Sequence, residues 1–399
     1  MIEVIGGSYH ELCIDPSWNE LYGSGFRAAL GLSKKDTPIK FYTYADENSA
    51  KILEFLSKQV GIEIFIKSIN KSVEFEYQYP LARPLMYPNE DFFHDLEVLK
   101  VTIKNGICYG MVEGNAIVNG ERIVYDPQNP DAPHTFHCNG SSANELIYVL
   151  NFGEACILAH SNDLAEIKRF FLQQQNCIAT IVKHGANGAY LLQDQNEIQV
   201  IPAFVTERVW PIGSGDIFTA AFGYLWLVKK FQFYDAAYHA SLATATYVNS
   251  KSLPIDLEVS SNCFIPVKKA NEKIIVVYLA GPFFNLGQRW IIEQCRNVFV
   301  KLGFQVFSPL HDVGFGGTQE IVNKDIEGIN KCDIVFAVID GLDSGTLFEI
   351  GYAKSIKKPV VCLCESELPG SLTMLKGTGC VIESDFSTAI YKTVWNSIS

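Results

Sequence analysis

Positive charge is scarce in this chain. Its 399 residues include 32 lysines and arginines against 44 aspartates and glutamates, which gives a formal net charge of −12. Proteins that bind DNA or RNA need clustered lysine and arginine to displace the counterions of the phosphate backbone. We therefore expect no nucleic-acid partner, although backbone amides can still hold a small anionic ligand in an acidic protein.

Long apolar runs are also missing. No stretch reaches the roughly 18 consecutive apolar residues that a membrane helix needs, so we expect no membrane partner. The chain enters a strand at Ile2–Ile5 without the basic segment and apolar core of a signal peptide. Both absences favour a cytoplasmic protein.

The cysteines lack the spacing of a metal site or of a disulfide framework. There are 11 of them, an odd number, and they are scattered along the chain. Cys362 and Cys364 form a single CxC, with no second cysteine or histidine pair at zinc spacing. A Walker A run and an HExxH motif are missing as well. We expect reduced, buried thiols and no zinc.

Apolar residues are abundant and regularly arranged. They make up 48% of the chain, which is typical of a globular protein. Short strand-like runs alternate with helix-like segments, which predicts parallel sheets with helices on both faces. Residues 74–121 interrupt the alternation and carry no clear prediction. The first part has predicted strands at Ile2–Ile5, Ile39–Tyr44, Ile147–Leu150 and Ile178–Val182 and predicted helices at Ala50–Gln59 and Leu164–Gln175.

A second α/β series begins near Ile274. The polar segment 251–273, which contains prolines, separates it from the first series and has the composition of a linker. We therefore predict two α/β domains, residues 1–267 and 268–399. The second has predicted strands at Ile274–Leu279, Gln305–Phe307, Ile334–Ile339 and Val360–Leu363 and predicted helices at Gln288–Leu302, Ile321–Lys331 and Leu347–Ile356.

The most informative stretch of the second series follows the strand Ile334–Ile339. A polar turn leads into a helix that carries Glu349 in its early part, with Asp340 and Asp343 just before it. Ligands of open α/β sheets bind at the carboxyl ends of the strands, and three close carboxylates raise at least one pKa among them. The alternative is structural, with Asp343 as a helix cap and Glu349 as a solvated residue.

Further patterns share the order and spacing of one enzyme family. Tyr278–Asn285 follows the first strand of this series, Phe307–Leu310 follows the second, and Asn323–Ile329 lies in a helix before the next strand. Together with the turn at 340–353, they closely resemble the nucleoside 2-deoxyribosyltransferase family, which includes the deoxynucleoside 5′-monophosphate N-hydrolases. The resemblance covers residues 274–385 and implies a flavodoxin-like or Rossmann-like parallel sheet that needs no cofactor.

The resemblance implies a role for each matched residue. Glu349 would attack the anomeric carbon and form a glycosyl-enzyme ester, and Tyr278 would orient its carboxylate. Asp343 would bind the sugar hydroxyl or the base, and Asp325 would assist protonation of the leaving base or recognise the base. These roles suit an oxocarbenium-like transition state, which needs a nearby carboxylate and an acid of raised pKa for the departing base.

The same resemblance places the substrate against Gly281, Pro282 and Phe283 and its 5′ position against Ser371. Transferases of the family tend to carry asparagine there, and hydrolases that prefer a phosphate tend to carry serine, so Ser371 favours a 5′-monophosphate. A shift of the alignment would put Thr373 in its place. In the family this segment often contacts the substrate across a subunit interface. We expect a homo-oligomer that forms through either domain.

A glycine-rich turn also precedes a helix in the first series. Gly213, Ser214 and Gly215 lead into it, and Asp216 lies in its first turn. Free amides at such a helix start can hold an anion, and an aspartate there can take the proton of a hydroxyl that attacks a phosphoryl group. The structural alternative is an aspartate that stabilises the helix dipole.

Other turns accompany this motif. Gly23 and Gly25 open a helix, and an NxxE pattern, Asn151 to Glu154, follows a strand. With the turn at 213–216, they resemble the PfkB (ribokinase-like) sugar and nucleoside kinases across residues 1–262. That family implies a ribokinase-like domain in which Asp216 is the base, Gly23 and Gly25 hold the sugar, and Glu154 organises Mg²⁺. ATP phosphates would be bound by Gly213, Ser214, Gly215, Asn151, Glu154 and Gly185.

Two positions depart from the kinase pattern. The family carries aspartate three residues before its GxGD turn, where this chain has Trp210, and only His10 and Glu11 are candidates for its acceptor-binding aspartate.

Three hypotheses for the function remain. The first hypothesis is a fusion that phosphorylates a nucleoside or sugar and cleaves or exchanges a glycosidic bond. The second is a glycohydrolase for NAD or a signalling nucleotide, regulated by a non-catalytic kinase-like domain. The third is a non-catalytic sensor.

Overall fold

The computed structural model describes residues 1–93, 96–194, 197–267, 274–314 and 319–398. The chain divides into two compact units, Met1–Val267 and Lys268–Ser399, and each contains its own sheet and hydrophobic core. Within the described ranges, no helix has the length and apolar character needed to cross a membrane.

The N-terminal unit is built on a nine-stranded sheet, whose order is β13-β12-β11-β10-β9-β8-β1-β4-β5 with strands numbered along the chain. Neighbours from β5 to β11 are parallel, and β12 and β13 extend the sheet antiparallel. The strands are β1 (Ile2–Ile5), β4 (Ile39–Ala45), β5 (Ile62–Ser68), β8 (Leu99–Tyr109), β9 (Ala116–Asp126), β10 (Ser142–Asn151), β11 (Ala179–Lys183), β12 (Ala189–Gln193) and β13 (Gln199–Ile201).

A four-stranded sheet and a two-stranded pair complete the β structure of this unit. The smaller sheet has the order β3-β2-β6-β7, with β2 (His10–Cys13), β3 (Trp18–Leu21), β6 (Glu74–Tyr77) and β7 (Leu85–Tyr87), and the pair is β14 (Phe204–Val205) with β15 (Ile265–Pro266). The α-helices are α1 (Gly23–Leu32), α2 (Glu47–Val60), α3 (Phe152–Ala159), α4 (Leu164–Arg169), α5 (Ser214–Leu227) and α6 (Phe233–Ser250).

Helices pack on both faces of the large sheet, as predicted. Val4 and Ile5 are adjacent in β1 and both are buried, but they belong to different hydrophobic clusters. Val149 and Leu150 of β10 divide in the same way. One cluster includes residues of α1, α5 and α6, and the other includes residues of α3 and α4. Because successive side chains of a strand point to opposite faces, each cluster covers one face.

Residues 74–121, for which the sequence carries no prediction, contain β6, β7, β8 and the start of β9. The parallel strands β8 and β9 have 11 residues each, yet only the segment 110–115 joins them. That segment spans at most about 25 Å, whereas straight strands of this length extend over roughly 35 Å. The pair must therefore bend, and its pairing is interrupted between Ile103 and Asn105.

The C-terminal unit has a five-stranded, fully parallel sheet of order β17-β16-β18-β19-β20. This 2-1-3-4-5 order is flavodoxin-like, so the predicted fold class is confirmed. Its strands are β16 (Val276–Ala280), β17 (Gln305–Phe307), β18 (Ile334–Val338), β19 (Val360–Leu363) and β20 (Val381–Glu383), and its α-helices are α7 (Leu286–Lys301), α8 (Gln319–Lys331), α9 (Ser344–Ser355), α10 (Thr373–Gly377) and α11 (Phe386–Ser397).

The strand order also locates the site of the C-terminal unit. The direction of winding reverses between β16 and β18, and ligands of such sheets bind beyond the carboxyl ends of the strands at this switch point. The predicted residues Gly281, Pro282 and Phe283 follow β16, and Asp343 and Glu349 follow β18.

Candidate active sites

The centre of the C-terminal site is a tyrosine–carboxylate pair. Tyr278 comes from the buried part of β16, and Glu349 comes from the second turn of α9. The Tyr278 hydroxyl donates a hydrogen bond to Glu349 Oε1 at 2.6 Å. The predicted pairing of these two residues therefore has the geometry of a carboxylate held in one orientation.

Burial is the main cause that raises the pKa of Glu349, to about 7. The hydrogen bond from Tyr278 lowers this pKa, while Asp325 and Asp343 raise it further through their charge. The four groups therefore lie within electrostatic reach of one another. At neutral pH Glu349 exists in both protonation states, and its ionised form is poorly solvated and therefore reactive.

Asp343 has the capping role that the structural alternative described. It is the N-cap of α9, and its Oδ2 accepts hydrogen bonds from Thr346 N at 2.8 Å and from Thr346 Oγ1 at 2.9 Å. The cap fixes the start of the helix that carries Glu349. The cap and a contact to substrate are compatible, because a carboxylate has several acceptor positions.

Asp325 lies in α8, and one of its carboxylate oxygens, Oδ1, is buried without a hydrogen-bond partner among the described residues. Burial raises the pKa of Asp325. A buried carboxyl group that lacks a partner gains a hydrogen bond only by taking up a proton or by meeting a donor on a ligand. Asp325 is thus suited to hold a proton beside Glu349.

The turn after β16 requires glycine at position 281. Gly281 has a φ of +156°, and a Cβ there would come within 2.8 Å of Ile292 Cδ1 and 3.1 Å of Val338 Cβ. Pro282 and Phe283 follow, and the carbonyl oxygen of Phe283 accepts a hydrogen bond from Arg289 Nε at 2.9 Å. The glycine lets this turn lie close to the end of β18.

Ser371 lies in the 3-10 turn Pro369–Leu372 and is exposed. Among the residues that the structure describes, its hydroxyl makes no hydrogen bond, whereas Thr373 Oγ1 donates to Gly370 O at 2.8 Å. The segment before it is tied to the turn after β18, because Glu367 Oε1 accepts from Gly341 N at 2.8 Å. Neither hydroxyl forms a hydrogen bond with Tyr278, Asp325, Asp343 or Glu349 among the described contacts.

The N-terminal site is arranged around an arginine that the motifs did not identify. Arg27 Nη1 donates to Asp216 Oδ2 at 2.7 Å, and Arg27 Nη2 is paired with Glu11. Both Glu11 and Asp216 are buried, and Arg27 is only 1% exposed. Of the two acceptor-site candidates, Glu11 therefore joins Asp216 through Arg27, whereas His10 lies against Ser49.

This cluster is charged although it is out of contact with water. Burial is the main cause that raises the pKa of Asp216, to about 6, and Arg27 lowers that pKa while Glu11 and Asp126 raise it. Burial lowers the pKa of Arg27, but Glu11, Tyr247 and Asp216 more than reverse this effect. Arg27 is thus a permanent cation between two carboxylates.

The glycines of the 213–216 turn accommodate two cationic side chains. Gly213 has a φ of +78°, and a Cβ on it would come within 2.2 Å of Arg27 Nε. A Cβ on Gly215 would lie 3.4 Å from Lys183 Nζ. Lys183 is paired with Asp126, and its Nζ lies 3.3 Å from Thr219 Oγ1. A lysine therefore sits at the amino end of α5, next to Ser214 and Gly215.

Asn151 and Glu154 form a capping box at the start of α3. Glu154 N donates to Asn151 Oδ1 at 2.8 Å, and Asn151 N donates to Glu154 Oε2 at 2.9 Å. Burial raises the pKa of Glu154 to about 7. The described residues contain no group of three or more His, Cys, Asp or Glu side chains that could hold a metal. The capping box fixes the start of α3.

Of the other kinase-type positions, three are packed in the interior and Gly185 is exposed. Gly23 and Gly25 are buried, and a Cβ on Gly25 would come within 2.6 Å of the Gly6 carbonyl carbon. Gly185 starts a 3-10 turn after β11. Trp210 is buried against Trp18, with their ring centres 5.2 Å apart. At Gly23, Gly25 and Trp210 the side chain, or its absence, serves the packing.

Two family models match separate parts of this chain. The model described as nucleoside 2-deoxyribosyltransferase matches residues 277–386, and the model described as pfkB family carbohydrate kinase matches residues 120–253. The resemblance to both families is therefore confirmed. The kinase match includes Asn151, Glu154, Gly185 and Asp216, and it begins after Glu11 and Arg27.

Several solved structures are similar to this chain at low identity. A ribokinase from Thermotoga maritima is 17% identical, with 64% of this chain and 94% of that chain covered and a TM-score of 0.46. A fructokinase from Vibrio cholerae, bound to fructose, ADP and calcium, is 12% identical, with 64% and 95% covered and a TM-score of 0.48. An aminoimidazole riboside kinase from Salmonella enterica is 16% identical, with 64% and 96% covered and a TM-score of 0.47. The comparison with curated proteins gives no match.

The raised pKa of Glu349 predicts that Glu349→Gln stabilises the C-terminal unit at alkaline pH. Ionisation of the buried carboxyl opposes folding between its ordinary pKa of 4.5 and about 7. The gain should be absent below pH 4.5 and complete above pH 7. We expect up to about 2 kcal/mol, less than the full shift implies because the side chain is partly solvated.

Thermal unfolding of the full chain between pH 4 and pH 8 measures this effect. Glu327→Gln is the control, since Glu327 is exposed and its pKa is lowered by Lys331. A Glu349→Gln variant that is no more stable than wild type at pH 8 would contradict the prediction.

Proposed function

We propose that the C-terminal unit cleaves or exchanges the N-glycosidic bond of a nucleoside or a nucleoside 5′-monophosphate. The observation that carries the proposal is the 2.6 Å hydrogen bond that holds Glu349 beside Tyr278 at the switch point of the sheet. A carboxylate of pKa about 7 in this position is suited to attack an electrophilic carbon.

The reaction would proceed through two displacements at the anomeric carbon. Glu349 forms a bond to that carbon while the bond to the base nitrogen breaks, and Asp325 supplies the proton that the leaving base takes up. Water or a second base then displaces Glu349 and restores its carboxylate, and Asp325 takes up the proton that the attacking oxygen or nitrogen loses. Tyr278 orients the nucleophile throughout, and Asp343 contacts the sugar or the base from the helix cap.

The N-terminal unit would bind a nucleotide, with its phosphates at the amino end of α5. Support comes from Lys183, which lies beside Gly215, and from the amides of a helix start, which attract anions. Carboxylate oxygens are the ligands that Mg²⁺ prefers. Asp126 Oδ1 is buried without a partner among the described residues, so Asp126 fits the ion better than Glu154, whose carboxylate accepts from backbone amides.

Glu349→Ala should reduce release of free base on the order of 10³-fold, because loss of the nucleophile corresponds to about 4 kcal/mol of barrier. Tyr278→Phe should retain more activity than Glu349→Ala, since it removes only the orienting hydrogen bond. The measurement is base release from nucleosides, nucleoside 5′-monophosphates and NAD by the full chain. Activity of Glu349→Ala within tenfold of wild type would remove Glu349 from the mechanism.

We also expect a higher kcat/KM for a 5′-monophosphate than for the free nucleoside. Ser371 is exposed and its hydroxyl has no partner among the described residues, so it is available to a phosphate. A hydrogen bond to a charged group contributes about 1.5–3 kcal/mol, so Ser371→Ala should lower kcat/KM for the monophosphate about 10- to 100-fold and spare the nucleoside.

Thr373→Ala is the matched control, because it tests the alternative alignment. If Thr373→Ala produces the selective loss and Ser371→Ala does not, the phosphate contact belongs to Thr373. Equal kcat/KM values for the two wild-type substrates would reject the phosphate preference and leave the glycosidic reaction untouched.

We infer in addition that the C-terminal unit self-associates. Six of its large apolar side chains are more than 60% exposed: Ile274 at 67%, Phe284 at 67%, Leu286 at 84%, Phe348 at 62%, Leu368 at 74% and Met374 at 76%. Exposed apolar surface of this kind is typical of protein interfaces. Support also comes from the family resemblance, which implies a substrate site completed by a second subunit.

Light scattering should therefore give the mass of an oligomer for the wild-type chain and a lower mass for the double variant Phe284→Ser, Leu286→Ser. Leu85→Ser is the control, since it removes an exposed leucine of the N-terminal unit and should leave the mass unchanged. A monomeric wild type at micromolar concentration would contradict the inference.

A further inference from the structure

Arg27 is an unusual residue for its position in the fold. It lies in α1, whose sequence GSGFRAALGL contains no other charged residue, and it is 1% exposed. A buried cation is stable only when opposite charges and hydrogen bonds replace its hydration. Arg27 obtains them from Glu11 on β2 and from Asp216 on α5. It therefore joins α1 and the nearby strand β2 to α5, where Asp216 lies 189 residues further along the chain.

The surroundings of Arg27 are built to fit its guanidinium group. The Tyr22 ring centre lies 5.3 Å from Arg27 Cζ. The Tyr247 hydroxyl lies close enough to interact electrostatically with Arg27 and donates to Ile212 O at 3.0 Å. Arg27 Nε is buried without a hydrogen-bond partner among the described residues. Gly213 leaves the space that a Cβ would take from Arg27 Nε. The Tyr22 ring and the Tyr247 hydroxyl lie around the guanidinium group, and Gly213 leaves room for it.

A general base in a kinase must meet the acceptor hydroxyl directly. The required heavy-atom distance is about 2.6–3.2 Å, and Arg27 Nη1 already occupies that position on Asp216 Oδ2 at 2.7 Å. Arg27 also lowers the pKa of Asp216, against the effect of burial. An acceptor could reach Oδ2 of Asp216 only by expelling Arg27, which would leave a buried guanidinium and the carboxylate of Glu11 unpaired.

We propose that Arg27 fills the acceptor place of the N-terminal unit and holds Asp216 as a structural ion-pair partner. The unit then binds a phosphate-bearing ligand beside Lys183 without transferring a phosphoryl group to a sugar or nucleoside hydroxyl. The binding half of this statement rests on the nucleotide site proposed above. The statement that the acceptor place is closed rests only on Arg27, Glu11, Asp216 and Gly213, and it is independent of the glycosidic reaction.

The first test is a double-mutant cycle on the full chain. Arg27→Met and Asp216→Asn should each lower the unfolding temperature of the N-terminal unit by several degrees, because each leaves a buried partner unpaired. The double variant should lose clearly less than the sum of the two. The cycle Arg83→Met with Asp131→Asn is the matched control, since that ion pair is exposed, with side-chain exposures of 72% and 59%, and should show almost no coupling.

A higher or unchanged unfolding temperature for Asp216→Asn would overturn the proposal, because a carboxylate kept free for catalysis is not needed for stability. Glu11→Gln provides a further cycle with Arg27→Met if Asp216→Asn does not fold. The transition that belongs to the C-terminal unit is recognised by its response to Glu349→Gln, so the two units are measured separately.

The second test is ADP release from Mg-ATP by the wild-type chain, with and without a panel of sugars and nucleosides. We expect no acceptor-dependent release above that of Asp216→Asn, together with saturable binding of a fluorescent ATP analogue. Acceptor-dependent release that Asp216→Asn abolishes would overturn the proposal. Absence of both release and binding would reject the nucleotide site while leaving the closed acceptor place supported, so the two failures are distinguishable.

Discussion

When helices cover both faces of a parallel sheet, polar side chains can cluster at only one place, which is the edge where the strands end. Both units of this chain obey that constraint. In the N-terminal sheet, Val4 and Ile5 enter cores on opposite sides, and the ionisable groups collect where β9 and β11 end, at Asp126 and Lys183. In the C-terminal sheet, the winding reverses beside Tyr278, and Glu349 meets it there.

The two units show how neighbours decide what a buried carboxylate can do. Glu349 and Asp216 both have a raised pKa because of burial. The hydrogen-bonded neighbour of Glu349 is a neutral hydroxyl, which orients the carboxylate and leaves its charge uncompensated. The neighbour of Asp216 is a guanidinium, which compensates the charge and takes a hydrogen-bonding position. Glu349 therefore has no ion-pair partner among the described residues, whereas Asp216 is held in an ion pair with Arg27 of α1.

The strands and the C-terminal site were accessible from sequence because their signals are local. Apolar runs predict Ile2–Ile5 and Val360–Leu363 as strands, and the structure has both with these bounds. The spacing of Asp343 and Glu349 follows from one turn and one helix. That Glu349 and Tyr278 would meet was implied by the resemblance to the deoxyribosyltransferase family, because the two residues are 71 positions apart.

The rest depends on contacts between distant segments. Glu11 lies on a short strand of the small sheet, and its relation to Asp216 passes through Arg27, to which neither family resemblance assigned a role. One local signal was present, a single arginine in an otherwise uncharged and largely apolar helix, since a charge in such a helix is buried only with partners. Residues 74–121 resisted prediction because β8 and β9 are bent and lack the crossover helix that normally separates parallel strands.

Gly213 determines the order in which amino-acid substitutions could alter the site around Arg27. While Arg27 is in place, any larger residue at 213 collides with its guanidinium, so position 213 cannot vary first. Once Arg27 is replaced by a small residue, Glu11 and Asp216 face each other without a cation, and the space beside Gly213 opens. A route from the closed to an open acceptor site therefore starts at position 27 and passes through a less stable protein, which makes the closed state persistent.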